Sequence, residues 1–339
     1  NKAGHFLAGL GLQPTRVALV ADGRLKRGPV HQVLDSLSDE GFEAHHIRLE
    51  GGEKAKTLST VETLASRFGR LRLDRRSLVV ALGGGSISDV VGFAASVWMR
   101  GINWAVIPTT LLSMTDASLG GKTSVNLNGT KNLLGAFHQP SGILMDTRWL
   151  GQLPDREFRS GMGEVVKTAI LGGLPFFEFL EQSSDSLVAR DPEACLEAIS
   201  QSVGTKAVIV SADEREHGPR RILNLGHTVG HGLERACPHL RHGEAVALGL
   251  MACCEIACER QRMDPDEAAR IEALLETYRL PTRLPADLDV DRVLDAMTAD
   301  KKRAGGEIVM ILPREIGEVE IVEGIPPGEV RGVLSRMVR

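Results

Sequence analysis

The chain has 339 residues, 42% apolar and 25% charged, with a formal net charge of −4. That length fits two domains better than a single core, and the mildly acidic balance argues against a general nucleic-acid binder. No run approaches the roughly 20 uncharged apolar residues a membrane span requires, and the five cysteines form no CxxC pair, so reduced thiols in a cytoplasmic setting are expected. Residues 1–5 lack the layout of a secretory signal, and the missing initiator Met points to a trimmed start.

In chain order, residues 17–20, 46–49, 78–82 and 105–108 read as strands, with helical patterns over 30–37 and 61–67. The run from Leu78 to Leu82 is wholly apolar, as in a parallel sheet covered on both faces. Strand–helix alternation at this spacing predicts a doubly wound α/β domain. From about residue 150 the pattern changes: 155–170, 192–210, 228–236, 244–260 and 266–275 all read at helical period, and the next strand-like run is 307–312. The expected architecture is therefore an α/β doubly wound domain over residues 1–148, then a mostly α-helical domain over 149–339. An active site is expected in the cleft between them.

Gly83-Gly84-Gly85 follows the apolar strand and opens a helix, where bare backbone and free N–H groups can receive a phosphate. The GxGxxG spacing is absent, so the triple glycine reads equally well as a structural turn. Gly120-Gly121-Lys122-Thr123 lacks the upstream glycine of a phosphate-binding loop. His227 and His231 are spaced i,i+4, on one face if helical, and His242 stands at the start of the next helical pattern. Two imidazoles and a carboxylate would make a three-donor site with an open position, the arrangement of catalytic zinc. A hydrogen-bonded pair of helix histidines is the plainer alternative, and spacing leaves the third donor unassigned. Glu164, among small residues and one turn before Lys167, is a carboxylate candidate; an i,i+3 salt bridge explains it as well. Lys122, Lys131, Lys206, Arg220 and Lys301-Lys302 sit beside glycines, amides or carboxylates. Taken together they suggest a polyanionic substrate, though each alone reads as solvated surface.

The ordered series Gly52-Glu53-Lys54-Ala55-Lys56, Gly83-Gly84-Gly85-Ser86-Ile87-Ser88-Asp89, Pro108-Thr109-Thr110, Asp116 to Thr123, and Lys131-Asn132 through Pro140 resembles the 3-dehydroquinate synthases. Glu164-Val165-Val166-Lys167, Asp213 to Glu216, Arg220 to Thr228, His242-Gly243-Glu244 and Asp300-Lys301-Lys302 continue it, over residues 15 to 317 in unbroken order. The resemblance implies a dehydroquinate synthase-like fold, with NAD on the first domain and a divalent metal, zinc or alternatively cobalt, on the second. It implies a phosphate-eliminating lyase of the shikimate pathway that converts 3-deoxy-D-arabino-heptulosonate 7-phosphate to 3-dehydroquinate. The implied route is transient oxidation, elimination, re-reduction and carbon-on-carbon closure.

By motif position the resemblance implies Glu164, His227 and His242 as metal ligands. It implies Asp22, Glu53, Lys56, Gly84, Gly85, Asp89, Thr109, Thr110, Lys122 and Lys131 near the cofactor. Asp116, Lys122, Lys131, Asn132, Lys167, Lys206, Arg220, Asn224, His231 and Lys302 fall at substrate-site positions, with His231 handling protons. Arg100 matches an arginine that reaches the neighbouring subunit's site, so a homodimer is implied, with no nucleic-acid or membrane partner. Residues 126–130 and Gln152 depart from the common pattern. The rivals are another sugar-phosphate cyclase and a metal-dependent polyol or glycerol-phosphate dehydrogenase; Asn224, His231 and Lys301-Lys302 are in the synthase form.

Overall fold

A computed structural model describes residues 2–216, 218–301 and 308–338, the side chains of residues 298–301 excepted. The chain divides into two compact units, Asn1–Gln152 and Leu153–Arg339.

The first unit runs α1 (Ala3–Gly9), β1 (Val17–Asp22), α2 (Arg27–Asp39), β2 (Ala44–Leu49), α3 (Leu58–Arg70), β3 (Leu78–Gly83), α4 (Gly85–Val97), β4 (Asn103–Pro108), β5 (Lys122–Leu127), β6 (Thr130–Phe137) and β7 (Gly142–Ile143). Strands β2-β1-β3-β4-β7 form one parallel sheet in that order, and β5 with β6 makes a separate antiparallel hairpin. All residues of β1 and β3 are buried because both sheet faces are covered. On one face Ala18, Val20, Val79 and Ala81 pack with Leu64 and Phe68 of α3 and Val90 and Val91 of α4. On the other, Leu19, Leu78, Val80 and Leu82 pack with Leu7 of α1 and Val30, Val33 and Leu37 of α2. Each buried Val, Leu or Phe among them contributes about 1.5–3 kcal/mol. This is the doubly wound α/β arrangement expected from the apolar runs.

The second unit runs α5 (Asp155–Gly172), α6 (Leu174–Gln182), α7 (Ser184–Val188), α8 (Pro192–Ala212), α9 (His227–Ala236), α10 (His242–Glu259), α11 (Pro265–Thr277), α12 (Val290–Lys301), β8 (Ile308–Glu315), β9 (Glu318–Ile325) and α13 (Pro327–Met337). The expected helices are all present. The β8–β9 hairpin extends the expected single strand, and α6, α7, α12 and α13 were not read from the sequence. Helix α10 is buried along nearly its whole length, so it is apolar all round rather than amphipathic. Cys253 and Cys254 lie within it as free thiols.

Glycines set how closely α5 and α9 approach α10. A Cβ on Gly163 would overlap the Gly243 carbonyl, and one on Gly243 would overlap the Ser160 carbonyl. A Cβ on Gly249 would likewise overlap the carbonyl of Gly226. These bare backbones bring three helices together where their polar side chains converge. Gly243→Ala is therefore expected to destabilise the protein by about 1–3 kcal/mol or more through overpacking. Gly204→Ala, in α8 where a Cβ meets nothing, should instead stabilise by about 0.5–1 kcal/mol. Urea unfolding midpoints of the two variants, moving in opposite directions, check both.

Candidate functional site

In the first unit β1 and β3 are neighbours from which the sheet grows in opposite directions, and such a switch point leaves a crevice beyond the strand ends. Asp22 closes β1 and Gly83 closes β3, with Gly84 and Gly85 leading into α4. Gly84 is extended (φ −81°), so its bare backbone answers to space rather than to backbone angle: a Cβ there would press on Thr110, and one on Gly85 would press on Ala117. No side chain caps α4, which leaves its first N–H groups for an anion. Gly52 N–H donates to Ser86 Oγ at 3.0 Å, which ties the loop bearing Glu53 to the start of α4. Thr109 N–H donates to the Gly83 carbonyl at 2.9 Å, and Thr110 Oγ1 accepts from Ser113 N–H at 3.1 Å. Asp22 is buried and clamped by Arg24, with Nη2 2.6 Å from Oδ2.

Further along the same unit, buried Lys56 donates to Asp89 Oδ2 at 2.6 Å and also to Asn132 Oδ1. Burial pushes the Asp89 carboxyl up to about 6 against the opposing charge of Lys56. Asn126, in the 126–130 segment that departs from the common pattern and not among the expected site residues, joins two of them. Its Nδ2 donates to Glu53 Oε1 at 2.7 Å, and its Oδ1 accepts from Asn132 N–H at 2.9 Å. Its sequence signal was that departure from the family pattern. Asn132 is left-handed (φ 54°), which Asn tolerates better than most residues. Asp116 lies in a one-turn π-helix, Ser113–Ala117, and Lys122 and Lys131 are exposed on β5 and β6. Arg100 is exposed in a left-handed turn (φ 69°) at the far end of α4 from the glycines, about 20 Å along the helix.

In the second unit Glu164 of α5, His227 at the start of α9 and His242 at the start of α10 converge, their donor atoms all within 4.8 Å of one another. Glu164 has no exposure, and neither carboxylate oxygen accepts a hydrogen bond of ordinary geometry. Nitrogen groups surround it instead: Lys167 Nζ is 2.6 Å from Oε2, while His227 Nε2 and His242 Nε2 stand 3.4 and 3.2 Å from Oε1. Burial would raise this carboxyl, but Lys167 above all, then His227 and His242, hold it well below the usual carboxylate range. Burial pushes His227 down to about 3 despite the charge of Glu164. His242 is also disfavoured as a cation by burial, yet the facing carboxylates of Glu164 and Glu234 carry it up to about 10. The salt bridge read as the alternative for Glu164 and Lys167 is present, and it coexists with the donor cluster.

The two imidazoles turn the same atom toward Glu164. His227 Nδ1 lies 3.1 Å from the Leu225 carbonyl, a contact that needs the proton on Nδ1 and frees Nε2 as a donor to a metal. His242 Nδ1 lies 3.4 Å from Glu234 Oε2. A buried anion without hydrogen bonds facing two Nε2 atoms fits a tetrahedral ion with one open position. His231 is exposed one turn along α9, its ring centre 5.3 Å from that of His227. With Asn224, His227 and Thr228 it lines a cavity of about 290 Å³ that Arg221, Val309 and Ile311 also border. Asn224 Nδ2 donates to Glu216 Oε1 at 2.7 Å, and Lys167 Nζ donates to the Leu223 carbonyl at 3.0 Å. Lys206 and Arg220 are buried, and Arg220 donates to the Glu214 carbonyl. Arg221, which borders the cavity beside Arg220, is not among the expected site residues, because the motif position falls on Arg220. Lys302 and the side chain of Lys301 lie outside the described residues.

This fold with this donor cluster defines a sugar-phosphate cyclase-like chain. A 2-epi-5-epi-valiolone synthase from Streptomyces hygroscopicus, solved with NAD+ and Zn2+ bound, superposes with a TM-score of 0.90 at 30% identity, covering 98% of this chain and 92% of that one. A 2-deoxy-scyllo-inosose synthase complexed with carbaglucose-6-phosphate, NAD+ and Co2+ superposes at 0.88 with 29% identity, covering 96% and 91%. Family models described as 3-dehydroquinate synthase N-terminal and C-terminal match residues 46–160 and 161–303. A 3-dehydroquinate synthase of Nostoc sp. is 42% identical over 99% of this chain and 94% of its own length. The chain belongs to the 3-dehydroquinate synthase family.

His227→Ala is expected to lose stoichiometric zinc while staying folded, because it removes a donor and no buried charge. Glu164→Ala should lose zinc and also about 3–5 kcal/mol of stability, since it leaves Lys167 charged and buried without its carboxylate. Metal content after desalting, with urea unfolding of each variant, separates the two effects.

Proposed function

We propose that this chain is a 3-dehydroquinate synthase, a lyase that turns 3-deoxy-D-arabino-heptulosonate 7-phosphate into 3-dehydroquinate and phosphate in the shikimate pathway. The observation that carries this reading is the Glu164, His227 and His242 cluster in a chain 42% identical to a synthase over nearly its whole length. Glu164, His227 and His242 would hold the ion, zinc or cobalt. Asp22, Glu53, Lys56, Gly84, Gly85, Asp89, Thr109 and Thr110 would hold NAD, a role the uncapped start of α4 supports. When bound, the metal supplies Lewis acidity at a substrate hydroxyl, and NAD supplies an acceptor for a hydride that is returned within the same turnover.

The chain's own residues do the rest. Lys122, Lys131, Asn132, Lys206, Arg220, Asn224 and Lys302 bind and orient the phosphate and carboxylate, so that elimination and ring closure start from an aligned substrate. Lys167 neutralises Glu164 and keeps it ionised. Asp116 contacts the substrate. His231, exposed beside the cluster and outside it, holds and moves protons at its ring nitrogens.

Arg100 serves the partner's site in a homodimer. Its exposure, its strained turn and its place about 20 Å along α4 from the glycines support that reading. Val97 and Met99, exposed beside it, would be covered in the same contact. None of the described helices is long and apolar enough to cross a membrane. Five free cysteines support a reducing, cytoplasmic setting.

The test is turnover of the heptulosonate phosphate with zinc and NAD at a small fraction of the substrate concentration. Phosphate and dehydroquinate should form in equal amounts, far beyond the NAD supplied, without accumulation of reduced cofactor. Stoichiometric reduced cofactor would mark a dehydrogenase. Inactivity here with turnover of another phosphorylated ketose would mark a different cyclase.

A further inference from the structure

Helix α9 carries His227, His231 and Glu234 at i, i+4 and i+7, which places all three on one stripe two turns long. His227 and His231 were singled out from the sequence; Glu234 was not. Its side chain is only 10% exposed, and its Oε2 lies 3.4 Å from Nδ1 of His242, which α10 presents across the helix pair. The His242 ring is thus spanned by two carboxylates, Glu234 at Nδ1 and Glu164 at Nε2.

The two imidazoles solve one problem in different ways. A histidine that donates to a metal through Nε2 must keep its proton on Nδ1 and its ring plane fixed, and a partner at Nδ1 does both. His227 finds that partner in the Leu225 carbonyl two residues back, a neutral group fixed by the turn into α9. His242 has instead a charged group from another helix. A carboxylate orients the ring as a carbonyl does, and it also makes the imidazole a stronger donor.

We propose that Glu234 is a positioning residue of the metal centre: it holds His242 through Nδ1 so that Nε2 faces the point shared with Glu164 and His227. The inference rests on the cluster being a metal site, and it adds the second half of a carboxylate–histidine–metal relay. It also explains why α9 and α10 are held together by bare glycine backbone, since Glu234 reaches His242 only if the helices stay close.

The experiment strips the purified full-length protein of metal and titrates it with zinc against a chromophoric chelator, for wild type, Glu234→Gln and Glu234→Ala. Glu234→Ala is expected to weaken zinc about 10–100-fold. Glu234→Gln should fall between it and wild type, because its amide oxygen still accepts from Nδ1–H but carries no charge. The cobalt-substituted forms should show shifted visible absorption in both variants. Melting of the metal-free proteins is the control for a merely structural role: Glu234→Gln should melt with wild type, while the rise in melting temperature on adding zinc shrinks. Should Glu234→Ala not fold, the isosteric Glu234→Gln decides. Zinc affinity and cobalt spectrum unchanged in Glu234→Gln and, where folded, in Glu234→Ala would overturn the proposal while leaving the metal site standing. Wild-type protein that takes up no zinc would overturn the metal site itself, and the proposal with it.

Discussion

A carboxylate with no solvent exposure must be neutralised by its surroundings or take up a proton, and Glu164 is in that position. Taking such a group out of water costs several kcal/mol. At about 4 Å one opposite charge returns roughly 4 kcal/mol at the effective dielectric of a protein. Lys167 supplies one such charge, on the same helix and one turn away. His242, carried up to about 10, supplies a second, but from a helix that must be brought to it. The second unit can be understood as the means of keeping that charge ionised, buried and accessible to two nitrogen donors.

The glycine contacts follow from this requirement. Gly163 precedes Glu164 and Gly243 follows His242, and the two meet where any side chain would hold the helices apart. Ser160 fixes the same crossing by accepting from Gly243 N–H at 3.0 Å. Glu244, next along α10, caps that helix through Arg241 N–H and pairs with both arms of Arg156, so the end bearing His242 is anchored to α5. Side chains that never touch the donor cluster thereby set its dimensions. The first unit uses the same device at Gly84 and Gly85, where absent side chains let the β3–α4 turn pack against Thr110 and Ala117.

Much of this was legible in the sequence. Apolar strands such as residues 78–82 can only be buried on both faces, so the doubly wound sheet followed from their composition. His227 was visible through its i,i+4 spacing from His231, and His242 by its place at the start of the next helical pattern. Glu164 could not be attached to them by spacing, since 62 residues lie between it and His227 and only the folded meeting of α5, α9 and α10 joins them. The hairpin from Lys122 to Phe137 went unread because Gly120-Gly121-Lys122 resembles part of a phosphate loop and its second strand is largely exposed, so it lacks a clean apolar alternation. Strand β9 was hidden in the same way, by Glu318, Glu320 and Glu323 on a surface hairpin. Glu234 escaped, and Asn126 stood out only as part of a departing segment, because both act through other residues, and a positioning residue has no motif of its own.

The central claim is that Glu164, His227 and His242 share one metal ion. Anomalous X-ray scattering measured on either side of the zinc absorption edge, from crystals of protein purified with zinc, tests it most directly. The account predicts one strong anomalous peak about 2.0–2.2 Å from a Glu164 carboxylate oxygen and from Nε2 of both histidines. A well-ordered cluster with no peak between these three donors, or with the zinc held elsewhere, would contradict it.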